Sequence, residues 1–176
     1  MKISSHKITT MGLLIALSII LTRIASLRIA IGGIEGIRIG FGGLPIILGG
    51  ILFGPLSGGL VGAISDLVGY FINPMGAYMP HFTLTSALTG IIPALVLKLS
   101  QKNEPNVLEL GTAIAVGQII TSLVLVPYFL HTLFGLPWKI LMPPRIIGVP
   151  INIFIYAYVV NTILKRNILI TKLHKI

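Results

Sequence analysis

Long apolar stretches, separated by short segments rich in glycine, proline or charge, follow one another along this chain. The stretches are continuous, whereas strands of a membrane barrel alternate between apolar and polar positions over about ten residues. A helix crosses the hydrocarbon core of a bilayer with about 20 apolar residues. The pattern therefore predicts an all-α integral membrane protein, a bundle of six transmembrane helices in a single domain over residues 1–176. The predicted helices cover residues 11–27, 39–53, 56–72, 81–100, 107–130 and 143–164.

Two neighbouring segments depart from a simple membrane span. The apolar run at residues 42–53 is too short to cross the roughly 30 Å of hydrocarbon as a straight helix, and a Gly-Pro pair ends it. Residues 27–41 alternate isoleucine with charged residues around Gly32, Gly33 and Gly36, which favours a short extended or hairpin segment over a helix. We interpret this segment either as a lid over a site or as a solvated connector. Its charged residues are Arg28, Glu35 and Arg38.

The helix predicted at residues 56–72 contains a carboxylate at membrane depth. Residues four apart share one face of a helix, and here that face carries Gly58, Gly62, Asp66 and Tyr70. The other faces carry leucine, valine, isoleucine and phenylalanine, which suit lipid. A carboxylate inside the membrane costs roughly 2.5–3.5 kcal/mol. We therefore expect Asp66 either to lie in or beside a polar binding site or to pair with an arginine on another helix.

The composition supports a membrane protein and limits its chemistry. Hydrophobic residues make up 55% of the chain and charged residues 10%, and the mean hydropathy is +0.99. The chain has no cysteine and its four histidines are scattered, so neither a metal site nor another cofactor is expected. Phosphatidyltransferases need clustered aspartates, whereas Asp66 is the single aspartate. Rhomboid-type proteolysis needs a serine in a setting that Ser57 lacks, so we expect no enzyme.

This chain is not expected to supply ATP-driven energy of its own. No P-loop, GxxxxGK[ST], occurs in the sequence. The string LSGG at residues 56–59 matches a nucleotide-binding signature, but the soluble domain to which that signature belongs is missing. A self-sufficient carrier or channel remains an alternative, although the chain shows no clear inverted halves.

The positive charges indicate an orientation in the membrane. Eight of the 13 cations lie at the two ends and in the loop at residues 98–106, and by the positive-inside rule this side, with both termini, is cytoplasmic. The other five cations are Arg23, Arg28, Arg38, Lys139 and Arg145. Outer arginines suggest capture of an anion from outside, because arginine binds carboxylates through paired hydrogen bonds. For Arg23, but not for Arg145, we favour snorkelling to lipid phosphate.

Further polar or small residues have two interpretations each. Gly12 and Ala16, four residues apart on the first helix, suit close approach of another helix, either within this chain or from a docking subunit. Gln118 is interpreted as a ligand contact or as an interhelical hydrogen bond. The last helix is expected to start at Pro143 and Pro144, with Arg145 and Asn152 on one face.

The stretch SDLVGYFINPMGAYMPHFTLTSALTGIIP at residues 65–93, with the later PPR and six short spans, resembles the S components of energy-coupling factor (ECF) vitamin transporters. The folate-specific branch is the nearest match. The resemblance implies a six-helix bundle with an outward-facing vitamin pocket. It also implies a transmembrane coupling subunit and two ATPase subunits as partners, and transport by reorientation of the bundle. In this family a small-xxx-small motif on the first helix contacts the coupling subunit, and here that motif falls on Gly12 and Ala16.

A folate ligand suits the polar residues of this chain. The pterin ring offers adjacent N–H and amino donors, which a buried carboxylate can accept, and its flat rings can stack on aromatic side chains or on a proline edge. The two carboxylates of the glutamate tail suit arginines. Pantothenate or a pyridoxine relative remains an alternative ligand. The candidate ligand-binding residues are Asp66, Tyr70, Tyr78, Phe82, Arg28, Arg38, Gln118, Pro144, Arg145 and Asn152.

Overall fold

The structure, a computed structural model, describes residues 5–24, 27–31, 34–74, 78–100 and 105–173, with backbone alone for the two strands and the end of the last helix. The described residues form six helices and a two-stranded hairpin. The helices are α1 (Ser5–Ile19), α2 (Gly43–Phe53), α3 (Pro55–Ile72), α4 (Pro80–Leu99), α5 (Val107–Phe134) and α6 (Trp138–Leu173), and the strands are β1 (Leu27–Ile31) and β2 (Ile34–Ile39). A π-helical turn, Ile20–Ile24, extends α1, and α5 is π-helical over Ile119–Leu125.

Five of the helices in the described ranges are long and apolar enough to cross a membrane, and α2 is not. With 11 residues, α2 is about 16 Å long, which is near half the thickness of a hydrocarbon core. The antiparallel hairpin precedes it, and Arg28 of β1 lies directly opposite Arg38 of β2 in the register. The predicted helical bundle, the short second helix and the hairpin within residues 27–41 are confirmed, but α1 already begins at Ser5 and α2 begins at Gly43, not at residue 39.

The central helix of the bundle is α2. Six of its residues are buried, and it packs on α1, α3, α4 and α6. Ile47 is fully buried and joins Leu110, Ile114 and Val160 in the hydrophobic core. This matches its sequence, because a helix that is apolar on all sides is stable only where all sides are covered. By contrast, α3 leaves one apolar face exposed, as the sequence predicts for a lipid-facing side, with Leu56, Leu60, Ile64, Leu67, Val68 and Phe71.

Three glycines bring the backbones of α2, α3 and α4 into contact. A Cβ on Gly58 would lie 2.5 Å from the Cα of Gly50 and 2.7 Å from the carbonyl oxygen of Gly90, closer than real Cβ atoms approach. Further along α3, the backbone of Gly62 lies against Ser86 of α4, whose hydroxyl donates to the Gly62 carbonyl at 2.9 Å. Close backbone approach through small residues holds helices together in membranes. The prediction that this face of α3 turns towards other helices is confirmed.

The boundaries of the last two helices differ from the sequence prediction. A loop at residues 131–142 is predicted, but α5 continues to Phe134 and α6 already begins at Trp138. Gly135, in the left-handed conformation with φ of 65°, ends α5, and its N–H donates to the carbonyl of His131 at 2.9 Å. Pro143 and Pro144 therefore lie inside α6 and do not start it. Both lie beyond the first turn, the part of a helix where proline is tolerated, so each removes one backbone hydrogen bond from the interior of α6, as Pro150 also does.

Candidate binding site

Asp66 lies near the end of α3, between α1 and α4. Its side chain is 21% exposed. Thr83 of α4 donates its hydroxyl to Asp66 Oδ2 at 2.7 Å, and Nη2 of Arg23 lies 3.8 Å from Oδ1. The second distance exceeds the roughly 2.7–2.9 Å of a charge-assisted hydrogen bond. Arg23 therefore balances the charge of the carboxylate while Oδ1 keeps the capacity to accept from a ligand.

The expectation that Arg23 extends to lipid phosphate is wrong. Its side chain is 10% exposed, and its Nη1 donates to the carbonyl oxygen of Asn73, at the end of α3, at 3.2 Å. Gly69 makes room for it, because a Cβ there would lie 3.0 Å from Arg23 Nε. A carboxylate at membrane depth attracts a cation strongly. Asp66 therefore pairs with an arginine of another helical segment, Arg23, and a role for Asp66 in ligand binding remains a prediction. Gly69, three residues after Asp66, is the sequence feature that indicates room for the Arg23 side chain beside α3.

Two predicted aromatic residues lie together beside Asp66. The rings of Tyr70 and Tyr78 have centroids 5.3 Å apart and are tilted by 58°. The hydroxyl of Tyr78 lies 3.0 Å from that of Thr83, so a hydrogen-bonded chain runs from Tyr78 through Thr83 to Asp66. Phe82 is half-buried in the first turn of α4, next to Thr83 in sequence. Thr83 is the member of this group that sequence reasoning missed. The sequence signal for Thr83 is its position directly after Phe82, which was itself predicted as a site residue.

A second polar group lies where α2 begins, and three helices contribute to it. Gln118 of α5 is 5% exposed, and its Oε1 accepts from the hydroxyl of Ser122 at 2.9 Å. A Cβ on Gly43 would lie 3.7 Å from Gln118 Nε2 and 3.4 Å from the ring of Tyr156 on α6. The amide of Gln118 thus faces α2 and α6 in the middle of the bundle.

The predicted site residues of α6 are partly buried. Nη1 of Arg145 donates to the carbonyl of Leu141, one turn earlier, at 3.1 Å, and Arg145 has further interactions. Pro144 and Asn152 are half-buried. The sequence leaves open that Arg145 pairs with Asp66, but the arginine placed beside Asp66 is Arg23.

The side chains of two further candidates, Arg28 and Arg38, lie outside the described part of the chain. The strands that carry them are described. They join α1 to α2, and β2 contacts α6. A role for these arginines in binding remains a prediction.

The predicted docking motif on α1 is exposed. Gly12 and Ala16 both lie on the surface, and a Cβ on Gly12 would meet no atom within 4 Å. Among the described residues nothing packs closely on Gly12, and docking of another protein at this face remains a prediction.

The apolar outer faces, the helices long enough to cross a bilayer and the polar cluster around Asp66 define a multi-pass membrane protein with an intramembrane polar site. A family model described as the S component of an ECF-type riboflavin transporter matches residues 2–168. The chain is also 34% identical over 150 residues to the folate transporter FolT of Clostridium novyi (strain NT), with 85% of this chain and 83% of the relative covered. The chain belongs to the S components of ECF-type transporters.

Solved structures agree with this assignment. The crystal structure of FolT bound with folic acid is similar with a TM-score of 0.74 and 26% identity, over 90% of this chain and 95% of that chain. The S component of a bacterial ECF transporter is similar with a TM-score of 0.59 and 24% identity, over 96% of this chain and 97% of that chain, which shows the fold. The resemblance predicted from residues 65–93 is confirmed.

Proposed function

We propose that this chain is the folate-binding S component of an ECF-type importer, which captures folate outside the cell and delivers it by reorientation with a coupling subunit and two ATPase subunits. The observation that carries the proposal is the Asp66 carboxylate at membrane depth, with the Tyr70–Tyr78 pair beside it. Both folate-transporter relatives support this ligand. The chain itself is proposed to catalyse no reaction.

The pterin ring is proposed to bind at Asp66. Oδ1 faces Arg23 at 3.8 Å, which leaves it able to accept from the amino and ring N–H groups of a pterin. The tilted rings of Tyr70 and Tyr78 offer an aromatic surface to a flat heterocycle. Gln118 and Asn152 are proposed as further polar contacts, and Phe82 and Pro144 as apolar ones.

The glutamate tail is proposed to bind the outer arginines. Its two carboxylates match guanidinium groups, which form paired hydrogen bonds with them. Arg28 and Arg38 are opposite each other on the hairpin, and Arg145 lies in the outer part of α6. Together they supply cations for both carboxylates.

Riboflavin is the second candidate ligand, because the matching family model is described for a riboflavin transporter. Its ring system is also flat and would suit the tyrosine pair. Its ribityl chain carries no charge, however, and gives the outer arginines nothing to neutralise. The cations of this chain therefore favour folate.

Titration of the detergent-purified protein with folic acid tests the ligand. We expect saturable binding of one folic acid per chain, seen by calorimetry and by the fluorescence of Trp138. This residue is the first of α6, and its ring centroid lies 5.2 Å from that of His131. Riboflavin, pantothenate and pyridoxine are expected not to compete. Saturable binding of riboflavin, with none of folic acid, would overturn the proposed ligand and leave the family assignment intact.

The termini are proposed to lie in the cytoplasm. Nζ of Lys7 donates to the carbonyl of Phe53 at 3.3 Å, so α1 begins at the end of the bundle where α2 finishes. Because successive helices alternate in direction, Lys98 in the last turn of α4 belongs to the same end. This concentration of cations supports a cytoplasmic side, with Asp66 towards the outside.

Bulky substitutions on α1 test docking of the coupling subunit. Gly12→Leu and Ala16→Leu are expected to lower the recovery of co-purified ATPase subunits by about tenfold or more, because a filled small-residue face prevents close helix contact. Folic acid binding by the isolated chain is expected to persist. Gly148→Leu on α6 is the matched control, since a Cβ there also meets nothing within 4 Å. Equal recovery with the Gly12 and Ala16 variants would contradict docking at this face.

A further inference from the structure

A glycine-rich segment, residues 40–43, joins the hairpin to α2. Its sequence is Gly-Phe-Gly-Gly, and Gly40 directly follows the last residue of β2. Glycine permits many backbone conformations, so the residues of the segment do not by themselves fix the direction in which the hairpin leaves the bundle. The contacts around the segment must do so.

Hydroxyl groups from two other helices hold this segment. The hydroxyl of Ser18 on α1 donates to the carbonyl of Gly42 at 2.8 Å. The hydroxyl of Tyr156 on α6 donates to the carbonyl of Gly40 at 2.9 Å, across 116 residues of sequence. Ser18 is 1% exposed and Tyr156 is 2% exposed. The hydrogen bond from Ser18 is buried, and the one from Tyr156 is partly buried because Gly40 is half-buried.

Packing around the two hydrogen bonds leaves the segment little freedom. A Cβ on Gly42 would overlap the side chain of Thr22, and a Cβ on Gly43 would lie 3.4 Å from the ring of Tyr156. The segment is therefore held between α1 on one side and α6 on the other. Since β2 follows on from it, the position of the hairpin relative to both helices depends on these contacts.

We infer that Ser18 and Tyr156 are positioning residues, which set how long a bound ligand is retained by fixing the hairpin at its junction with α2. The inference rests on the proposed function for its ligand. Tyr156 has almost no accessible surface, so it acts through the carbonyl of Gly40. When either hydroxyl is removed, the carbonyl of Gly42 or of Gly40 loses this donor, and the segment next to the hairpin loses one of these two hydrogen bonds.

Tyr156→Phe tests the inference, because it removes the hydroxyl and keeps the ring. We expect the dissociation rate of radiolabelled folic acid to rise by about 5–30-fold, with a smaller change in the association rate. Tyr158→Phe is the matched control, on the same helix but 64% exposed, and is expected to leave the rate unchanged. A Tyr156→Phe variant with a lower melting temperature and an unchanged dissociation rate would overturn the inference, since a merely structural hydrogen bond predicts that result.

Ser18→Ala, alone and combined with Tyr156→Phe, provides a second test. Both substitutions release the same segment, so the double variant is expected to raise the dissociation rate by less than the product of the single effects. If the double variant raises the dissociation rate by the full product of the two single effects, the hydroxyls act independently. That result would overturn the inference that both act by holding the same segment.

Amide hydrogen exchange separates this inference from the proposed ligand. In ligand-free protein, Tyr156→Phe is expected to speed exchange of the β1 and β2 amides, whereas Tyr158→Phe is not. If Tyr156→Phe speeds exchange of the strand amides but the parent chain does not bind folic acid, the proposed ligand is rejected and the positioning role is kept. Unchanged exchange in the strands would overturn the positioning role whatever the ligand.

Discussion

Gly90→Ala is expected to lower the melting temperature of the purified protein by about 6–12 °C. The added Cβ would overlap the carbonyl oxygen of Gly58 and would lie 2.6 Å from its carbonyl carbon. These are backbone atoms, which cannot turn aside as a side chain can, so α3 and α4 must separate. Overpacking costs about 1–3 kcal/mol, and 1 kcal/mol changes the melting temperature of a chain of this size by about 2–4 °C. The upper end of that cost gives the expected shift, measured by circular dichroism in detergent.

Gly148→Ala is the matched control for this substitution. It makes the same change inside a helix, on α6, where a Cβ meets nothing within 4 Å. It is expected to leave stability unchanged or to raise it by up to about 1 kcal/mol, because alanine has the higher helix propensity. An unchanged melting temperature for Gly90→Ala would show that α3 and α4 are further apart than the structure has them.

The glycine contact is also expected to matter for binding, because the proposed site uses the same pair of helices. Gly62 and Ser86 continue the contact from Gly90 towards Asp66, and the hydrogen bond from Thr83 to Asp66 follows at the next turn. Separation of α3 from α4 would lengthen that last bond. We therefore expect Gly90→Ala to weaken folic acid binding as well as stability.

Local periodicity carried enough information to predict the face of α3. Four residues that are spaced four apart lie on one side of a helix. Here they are Gly58, Gly62, Asp66 and Tyr70. The glycines mark the part that approaches α4 closely, and the acid marks the part that needs polar partners. The hairpin was predictable for a similar reason, since alternation around glycines suits strands and not a helix.

The partner of Asp66 was not predictable from periodicity. Arg23 lies 43 positions earlier in the chain (66 − 23), and the rotation of α1 against α3 decides whether it faces lipid or the carboxylate. The local sequence around Arg23 is compatible with either orientation of its side chain. The group formed by Gly43, Gln118 and Tyr156 was not predictable for the same reason, because residues of three helices meet there only through tertiary packing.

The start of α6 shows how a correct local rule can select the wrong residue. Proline favours the first turn of a helix, and the sequence offers Pro137 as well as Pro143 and Pro144. The helix begins directly after Pro137, whose carbonyl accepts from the N–H of Ile140 at 3.0 Å. Packing of the whole helix, and not the rule itself, decides between these prolines.

Asp66→Asn is expected to weaken folic acid binding by about 10–100-fold, because a hydrogen bond to a charged group contributes about 1.5–3 kcal/mol. The asparagine oxygen can still accept from Thr83, so the fold is expected to persist. Calorimetry gives the affinity, and circular dichroism confirms folding. Glu109→Gln is the matched control, since it removes one negative charge at the start of α5, where glutamine also serves the capping box with Asn106. Equal affinity for parent and Asp66→Asn would place the site elsewhere.

A double-mutant cycle with Arg23→Gln then assigns the role of the arginine. Arg23 lies 3.8 Å from Asp66 and donates to the carbonyl of Asn73, which suggests that it acts on the ligand by holding the carboxylate. If so, Arg23→Gln weakens binding in the parent but has little further effect in the Asp66→Asn protein, with a coupling energy of about 0.5–3 kcal/mol. Fully additive effects would mean that Arg23 contacts the ligand on its own. In that case its guanidinium, and not only those of Arg28, Arg38 and Arg145, would be a candidate for a carboxylate of the glutamate tail.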